Sequence, residues 1–300
     1  MFLYLSTRLL RAAATMLLTV TIVFVFIRLS GDPAAALAPP AVGQEVIGLD
    51  QPLWKQYVTY VGTLARGQFG YSIHTGRPAL ELFLDKLPAT LMLGGTALLI
   101  ALGVGIPLGV VAALNRNTPI DRGVMAFSVF AFAMPNFLFG LGVILIGALV
   151  FHVFYGSGSD LFSLGALLAP AATLGLASMG AFARFARSSV LETINKPFMI
   201  AAEARGIPRV RRLARHVAPN AAIPLVTLLG LSLGTLIAGS VVTEQVFAWP
   251  GVGQLLVRSV ITRDIAVVQF LVLAVAGTMV LANLLVDLLY LVIDPRIRVR

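Results

Sequence analysis

Six long apolar stretches constrain this chain more than anything else in it. They run roughly Leu9–Leu29, Thr90–Leu114, Val124–His152, Leu164–Phe185, Ala222–Val246 and Ile265–Leu291, and the middle of each lacks a charged residue. A helix crossing the hydrocarbon core of a bilayer needs about 20 mostly apolar residues. A water-soluble domain of 300 residues has no interior large enough to hide six such stretches. Composition agrees: 58% of residues are hydrophobic and 12% charged, against about 25% charged in soluble domains. High hydrophobicity excludes intrinsic disorder. The lack of cysteine excludes a disulfide scaffold, thiol chemistry and Cys-ligated zinc or iron–sulfur sites. The expected fold class is an all-α polytopic membrane protein with six transmembrane helices.

The net charge of +9 would suggest nucleic acid in a soluble protein, but its distribution points to topology. With the N-terminus inside, fifteen Lys and Arg residues fall in cytoplasmic segments and seven in outer ones. Eight of the fifteen lie in or beside one loop, from Arg184 to Arg215. Positive charge marks the cytoplasmic side, so both termini are expected inside and no nucleic-acid partner is expected. The first stretch has a competing reading as a signal peptide, with Arg8 and Arg11 before it and Ala34-Ala35-Ala36 as a cleavage site. The resulting organisation is an N-terminal span (1–29), an outer segment (30–89), a five-helix core (90–291) with a cytoplasmic loop at about 186–221, and a tail (292–300). Within the outer segment, Pro52 is placed to open a short helix with Leu53, Tyr57, Val61 and Leu64 on one face. Trp54, Tyr57 and Tyr60 suit a membrane interface.

Several chemistries are missing. No lysine follows a glycine, so there is no phosphate-cradling P-loop. His74, His152 and His216 are far apart and form no metal-ligand spacing. Gly103-Val104-Gly105 lacks the third glycine of a dinucleotide fingerprint and sits inside an apolar span. There is no His-Glu-x-x-His motif. The ionisable residues nearest the membrane interior, Glu244 and Asp287, stand at span ends and are expected at the interface. Ion-coupled carriers use ionisable groups within the membrane. Uphill transport by this chain would therefore draw its energy from elsewhere.

The spans hold breaking and polar residues. Pro107, Pro135, Pro170 and Pro224 interrupt or begin apolar runs. Gly105 with Gly109, and Gly230 with Gly234, have the spacing that permits close helix contact. Ser128, Asn136, Thr173, Ser178, Thr227, Ser232 and Thr235 are candidates to line an aqueous path, with hydrogen bonding between helices as the alternative.

The cytoplasmic loop carries the most information. Gly206 is a natural C-terminal cap for one short helix, and Pro208 a natural start for a second. Val210, Leu213, Ala214 and Val217 then fall at helical spacing on one face. The arginines fit anionic headgroups. The small residues Ala201 and Ala202 beside Glu203 fit close approach by another protein. Both readings stand on these residues alone.

This loop resembles the "EAA" loop of ABC-importer permease subunits. Ala201, Ala202, Gly206 and Pro219 match that pattern, whereas Ile200, His216 and Ala218 depart from it. Arg215-His216, Pro219-Asn220-Ala221 and Pro224 resemble the dipeptide/oligopeptide/nickel branch, specifically the first of its two permease subunits. Further matching fragments are Gly31-Asp32-Pro33, Gly48 to Leu53, Gly67 to Ser72, Leu87 to Leu91, Glu244 to Gly253, and Asn283, Asp287, Tyr290 and Asp294-Pro295-Arg296.

The resemblance implies the type I importer permease fold and a division of labour. A second permease subunit would complete the pathway, and two ATP-binding subunits would dock on the EAA loops. A periplasmic or lipid-anchored binding protein would deliver solute in a bacterial inner membrane. ATP and magnesium would sit on the partner subunits, with no cofactor on this chain. The coupling residues would be Ala201, Ala202, Glu203, Ala204, Arg205, Gly206, Arg209, Arg211 and Pro219. Glu244, Phe247, Trp249, Pro250 and Gly251 would face the outer gate and the binding protein. Peptide, nickel–chelate, glutathione-like and opine-like solutes are all compatible. The alternative to this reading is a stand-alone channel or secondary carrier.

Overall fold

A computed structural model describes residues 2–29, 51–150, 164–234 and 236–293. Its helices are α1 (Phe2–Leu29), α2 (Leu53–Ala65), α3 (Ala79–Leu114), α4 (Pro119–Ala133), α5 (Asn136–Val150), α6 (Leu164–Ile194) and α7 (Pro197–Ala204). They continue with α8 (Arg209–Gly234), α9 (Leu236–Val246), α10 (Val252–Ile261) and α11 (Ile265–Ile293). Among the described residues the only bridge of β type joins Tyr71 and Pro78. Five helices are long and apolar enough to cross a membrane, and six spans result if α4 and α5 form one broken span.

The contacts divide into two compact units. One comprises Met1–Leu91, Ile237–Val241 and Pro250–Arg300. Its core gathers Ala79 and Phe83 of α3, Val252 of α10, and Val267, Phe270 and Leu271 of α11. Phe270 stacks against both Phe69 and Phe83, at 4.7 and 5.7 Å between ring centres. The buried Thr90 hydroxyl accepts the Val252 N–H at 2.8 Å, which satisfies an orphan donor at the start of α10. α2 is seated on α1 by Tyr57 and Tyr60, both packed on Phe24. Tyr57 shares a 2.8 Å hydrogen bond with the Thr21 hydroxyl, and Gln269 donates to the Tyr60 hydroxyl. Tyr60 is thus buried by protein rather than placed at a lipid interface, whereas Trp54 and Leu53 are exposed. The inner face of α2 is rotated from the predicted one because the two tyrosines, not Leu53, meet α1.

The other unit comprises Met92–Leu236 and Val242–Trp249. Here α3 lies against α6 at the expected glycines. A Cβ on Gly105 would stand 2.6 Å from the Met179 carbonyl oxygen, and one on Gly109 would collide with the Ala183 carbonyl. Gly180 of α6 is pressed in the same way on α4, where a Cβ would lie 2.5 Å from the Ser128 oxygen. Gly230 and Gly234 are also buried. Small residues at these crossings let backbones approach within a membrane.

The proline expectation divides. Pro107, Pro170 and Pro224 sit inside continuous helices, as membrane helices allow. At Pro135 the third span bends by 102° between α4 and α5. Met134 is extended there (φ −79°, ψ 128°), the conformation a following proline favours. The fourth span runs on to Ile194, so that Arg187 as well as Arg184 lies in the helix. Both charges are satisfied by protein. Arg187 grips the buried Asp121 of α4 through two hydrogen bonds of 2.5 and 2.8 Å. Arg184 donates to the Ser128 carbonyl at 2.8 Å and lies over the Phe132 ring.

Candidate functional site

The cytoplasmic loop folds into α7, a glycine turn and the start of α8. Pro197 opens α7 at N1, where its missing N–H costs nothing. Gly206 closes it with φ +70°. The Ile207 N–H reaches the Ala202 carbonyl at 3.2 Å and the Gly206 N–H the Glu203 carbonyl at 2.9 Å, the paired bonds of a Schellman cap. The cap is the one expected from the sequence.

The second short helix is not separate. Residues 209–212 are α-helical, 213–217 form a π-turn, and the helix continues to Gly234 without a break. The π-turn carries an extra residue per turn and rotates the rest of α8 relative to its first turn. The predicted apolar face is split accordingly: Val217 is buried, Leu213 is partly buried, and Val210 is 79% exposed.

α7 is anchored by two residues three positions apart, Met199 and Ala202, both buried. Met199 packs with Ala113 of α3, Val190 of α6 and Val217 and Ala221 of α8. Ala201, Glu203, Ala204, Arg205, Arg209, Arg211 and Pro219 are exposed. Ile200 is exposed as well, at 65%. Glu203 reaches across the turn to Arg212 at 2.9 Å, and the Phe198 and His216 rings lie 6.4 Å apart. The two alanines expected to form one patch therefore face opposite ways: Ala202 holds the segment to the body, and Ala201 is presented outward. Nothing in the sequence pattern singles out Met199 as the anchor. Its spacing of three from Ala202 is the one available signal.

The candidate lining residues are scattered. The hydroxyls of Ser128, Thr173, Thr227 and Ser232 each donate to the carbonyl four residues back in their own helix, at 2.7, 2.9, 3.2 and 2.9 Å. Those bonds lie within helices, not between them. Ser128 and Thr173 are fully buried, while Asn136 and Ser178 are half-buried. Thr235 lies outside the described residues, as do segments 30–50 and 294–300 with the motif fragments they hold.

At the end of α9, Glu244, Phe247 and Trp249 are buried. Glu244, expected at the interface, is enclosed by protein. Ala248 takes φ +50°, and the Trp249 N–H bonds the Glu244 carbonyl at 2.8 Å. A second Schellman turn thus carries alanine where glycine is usual. Pro250 and Gly251 belong to the first unit, in which Gly251 precedes α10 in an extended conformation. Among the described residues no three His, Asp or Glu side chains cluster as metal ligands.

Known proteins share this architecture. The probable D,D-dipeptide transport system permease protein DdpB of Escherichia coli K12 is 40% identical over 89% of this chain and 88% of its own. The dipeptide transport system permease protein DppB of the same strain is 36% identical over 84% and 83%. The oligopeptide transport system permease protein AppB of Bacillus subtilis 168 is 35% identical over 89% and 90%. A chain of the MetNI methionine ABC transporter, solved in an inward-facing conformation, superposes with a TM-score of 0.58 at 20% identity, covering 72% of this chain and 97% of that one. The fold is that of an ABC-importer permease. The model of the binding-protein-dependent transport system inner membrane component matches residues 105–299, and the chain belongs to that family.

Proposed function

We propose that this chain is one permease subunit of an ATP-driven peptide importer in a bacterial inner membrane. It forms half of the translocation pathway, and a second permease subunit forms the other half. Two ATP-binding subunits dock on the cytoplasmic segment, and a binding protein delivers solute from outside. ATP and magnesium stay on the partner subunits. The names of its relatives, for D,D-dipeptides, dipeptides and oligopeptides, support di- or oligopeptides as the solute class.

The observation that carries the coupling role is the two-sided build of α7. Met199 joins a buried cluster with residues of three membrane helices, and Ala202 is buried on the same face of α7. Ile200 and Ala201 stand outward beside Glu203, on a segment rich in arginine. An apolar residue 65% exposed outside the spans has no lipid tail to cover it, and a partner surface covers it without cost. Movement of a docked partner would pass through Met199 into the ends of α3, α6 and α8, which is the mechanical link alternating access requires.

The test is reconstitution in proteoliposomes with both permease subunits, the ATP-binding subunits and the binding protein. Labelled dipeptide uptake and ATP hydrolysis are measured together. Glu203→Lys is expected to leave assembly intact while uptake per ATP hydrolysed falls. Normal coupled uptake in that variant, or dipeptide flux through this chain alone, would refute the assignment.

A further inference from the structure

A groove of about 720 Å³ opens on the first unit between α1, the end of α10 and the first turns of α11. Its walls are mostly apolar, with Ile22 and Phe26 of α1, Val260 of α10, and Val268 and Val272 of α11; the one uncharged polar side chain among them, Gln269, is turned to the Tyr60 hydroxyl. These residues are partly or largely exposed, and α1 and α11 are spans. One cation, Arg263, stands in this lining. With the N-terminus inside, the groove lies at the outer ends of both spans.

Arg263 occupies an uncommon backbone position. Its φ is +56° at the turn that ends α10, where the Asp264 N–H bonds the Ser259 carbonyl at 2.8 Å and the Arg263 N–H the Val260 carbonyl at 3.1 Å. Glycine is the residue that fits this position without strain. Strain kept in a side chain's presence points to a use for that side chain. The turn is also clamped on both flanks. Buried Asp264 accepts the Ser72 hydroxyl at 2.5 Å, and the His74 ring bonds the Thr262 carbonyl at 2.9 Å. Arg263 is thereby fixed at the groove. No ion pair involves it among the described residues.

We propose that this groove is a phospholipid site of the outer leaflet, with an acyl chain along α1 and α11 and the phosphate on Arg263. A mostly apolar trough with an arginine in its lining matches a molecule with a hydrocarbon chain and an anionic head. Arginine is well suited to phosphate, and the surrounding low dielectric strengthens that contact.

The full chain, assembled with its partner subunits in nanodiscs, is irradiated with a trace of phosphatidylglycerol bearing a photoactivatable diazirine in its acyl chain. Adducts are mapped by peptide mass spectrometry. They are expected to concentrate on residues 22–26 and 265–272. Arg263→Gln lowers that labelling by roughly tenfold, the loss of one charge-assisted hydrogen bond, and Val268→Trp lowers it by filling the trough. Arg263→Gly raises the unfolding midpoint in lipid-free detergent while lowering the labelling, an opposition of signs that a purely structural arginine would not give. Arg258→Gln, on the exposed side of α10, leaves labelling unchanged. Even labelling along all spans, or groove labelling indifferent to both Arg263→Gln and Val268→Trp, would overturn the site. So would an unlabelled groove in the unaltered chain, which means that residues 30–50 or another subunit covers it.

Discussion

Removing the carboxylate of Asp121 tests the packing of α4 on α6. The Asp121–Arg187 pair is bidentate, and the Asp121 side chain is 4% exposed against 25% for Arg187. Breaking a fully buried pair costs about 3–5 kcal/mol, mostly because one charge is left unpaired. Arg187 keeps some access to water, so the stranded guanidinium costs less, about 2 kcal/mol. Asp121 also accepts the Asn117 N–H at 2.9 Å, holding a residue with φ +64°, and that bond adds about 1 kcal/mol. Asp121→Ala is therefore expected to lower stability by about 3 kcal/mol. Asp121→Leu with Arg187→Met removes both charges at similar volume and is expected to fall within about 1 kcal/mol of the unaltered protein. Denaturant titration in mild detergent of the unaltered protein, Asp121→Leu, Arg187→Met and the double variant gives the coupling energy directly. Single substitutions that each cost under about 0.5 kcal/mol, or a double substitution as costly as the two singles together, would refute an energetic role for the pair.

Gly105→Leu must displace the Met179 backbone, since even a Cβ there stands 2.6 Å from its carbonyl oxygen; a loss of at least about 2 kcal/mol and poor recovery of folded protein are expected. Ala248→Gly relieves a φ of +50° and should raise stability by about 1 kcal/mol in the same titration. Ala201→Trp and Ala202→Trp are expected to differ in kind. The first leaves folding intact and reduces ATP-coupled uptake, whereas the second displaces buried Ala202 and lowers folded yield. Equal folded yields with equal uptake would count against the opposed faces of α7.

The features legible in the sequence are those governed by local rules. A run of about 20 apolar residues without charge admits few conformations in a bilayer, so the spans can be placed. A glycine ending a short helix meets a backbone requirement that few residues satisfy, and Gly206 meets it. The glycine pair 105 and 109 is legible because four-residue spacing is itself the geometry of contact. Where the sequence misleads, the cause lies elsewhere in the chain or in a change of helical period. Val210 and Val217 belong to one face only if the helix between them has 3.6 residues per turn. The π-turn at Leu213–Val217 breaks that assumption, and no composition rule marks it. Pro135 resembles Pro107, Pro170 and Pro224 in sequence, yet only at Pro135 does the span turn by 102°.

The charge count carries the deepest difference between sequence and structure. By sequence, Arg184, Arg187 and Arg212 belong with the positive charge that sets topology. In the folded chain Arg187 is paired with Asp121, 66 residues away. Arg184 is spent on a carbonyl and an aromatic ring of α4, and Arg212 binds Glu203 across the glycine turn. Orientation depends on charge present during insertion, before these contacts exist, so the count remains valid for topology. It overstates the charge left for a partner. Among the described residues, the exposed cations of the loop that carry no such pair are Arg205, Arg209, Arg211 and Arg215. A docked subunit would therefore meet a narrow basic strip beside the apolar Ile200 and Ala201, not a broad basic face. Replacing Arg209 and Arg211 together with glutamine should then slow association of the ATP-binding subunits and flatten its salt dependence. The same exchange at Arg184 should change folding stability and leave that salt dependence as it was.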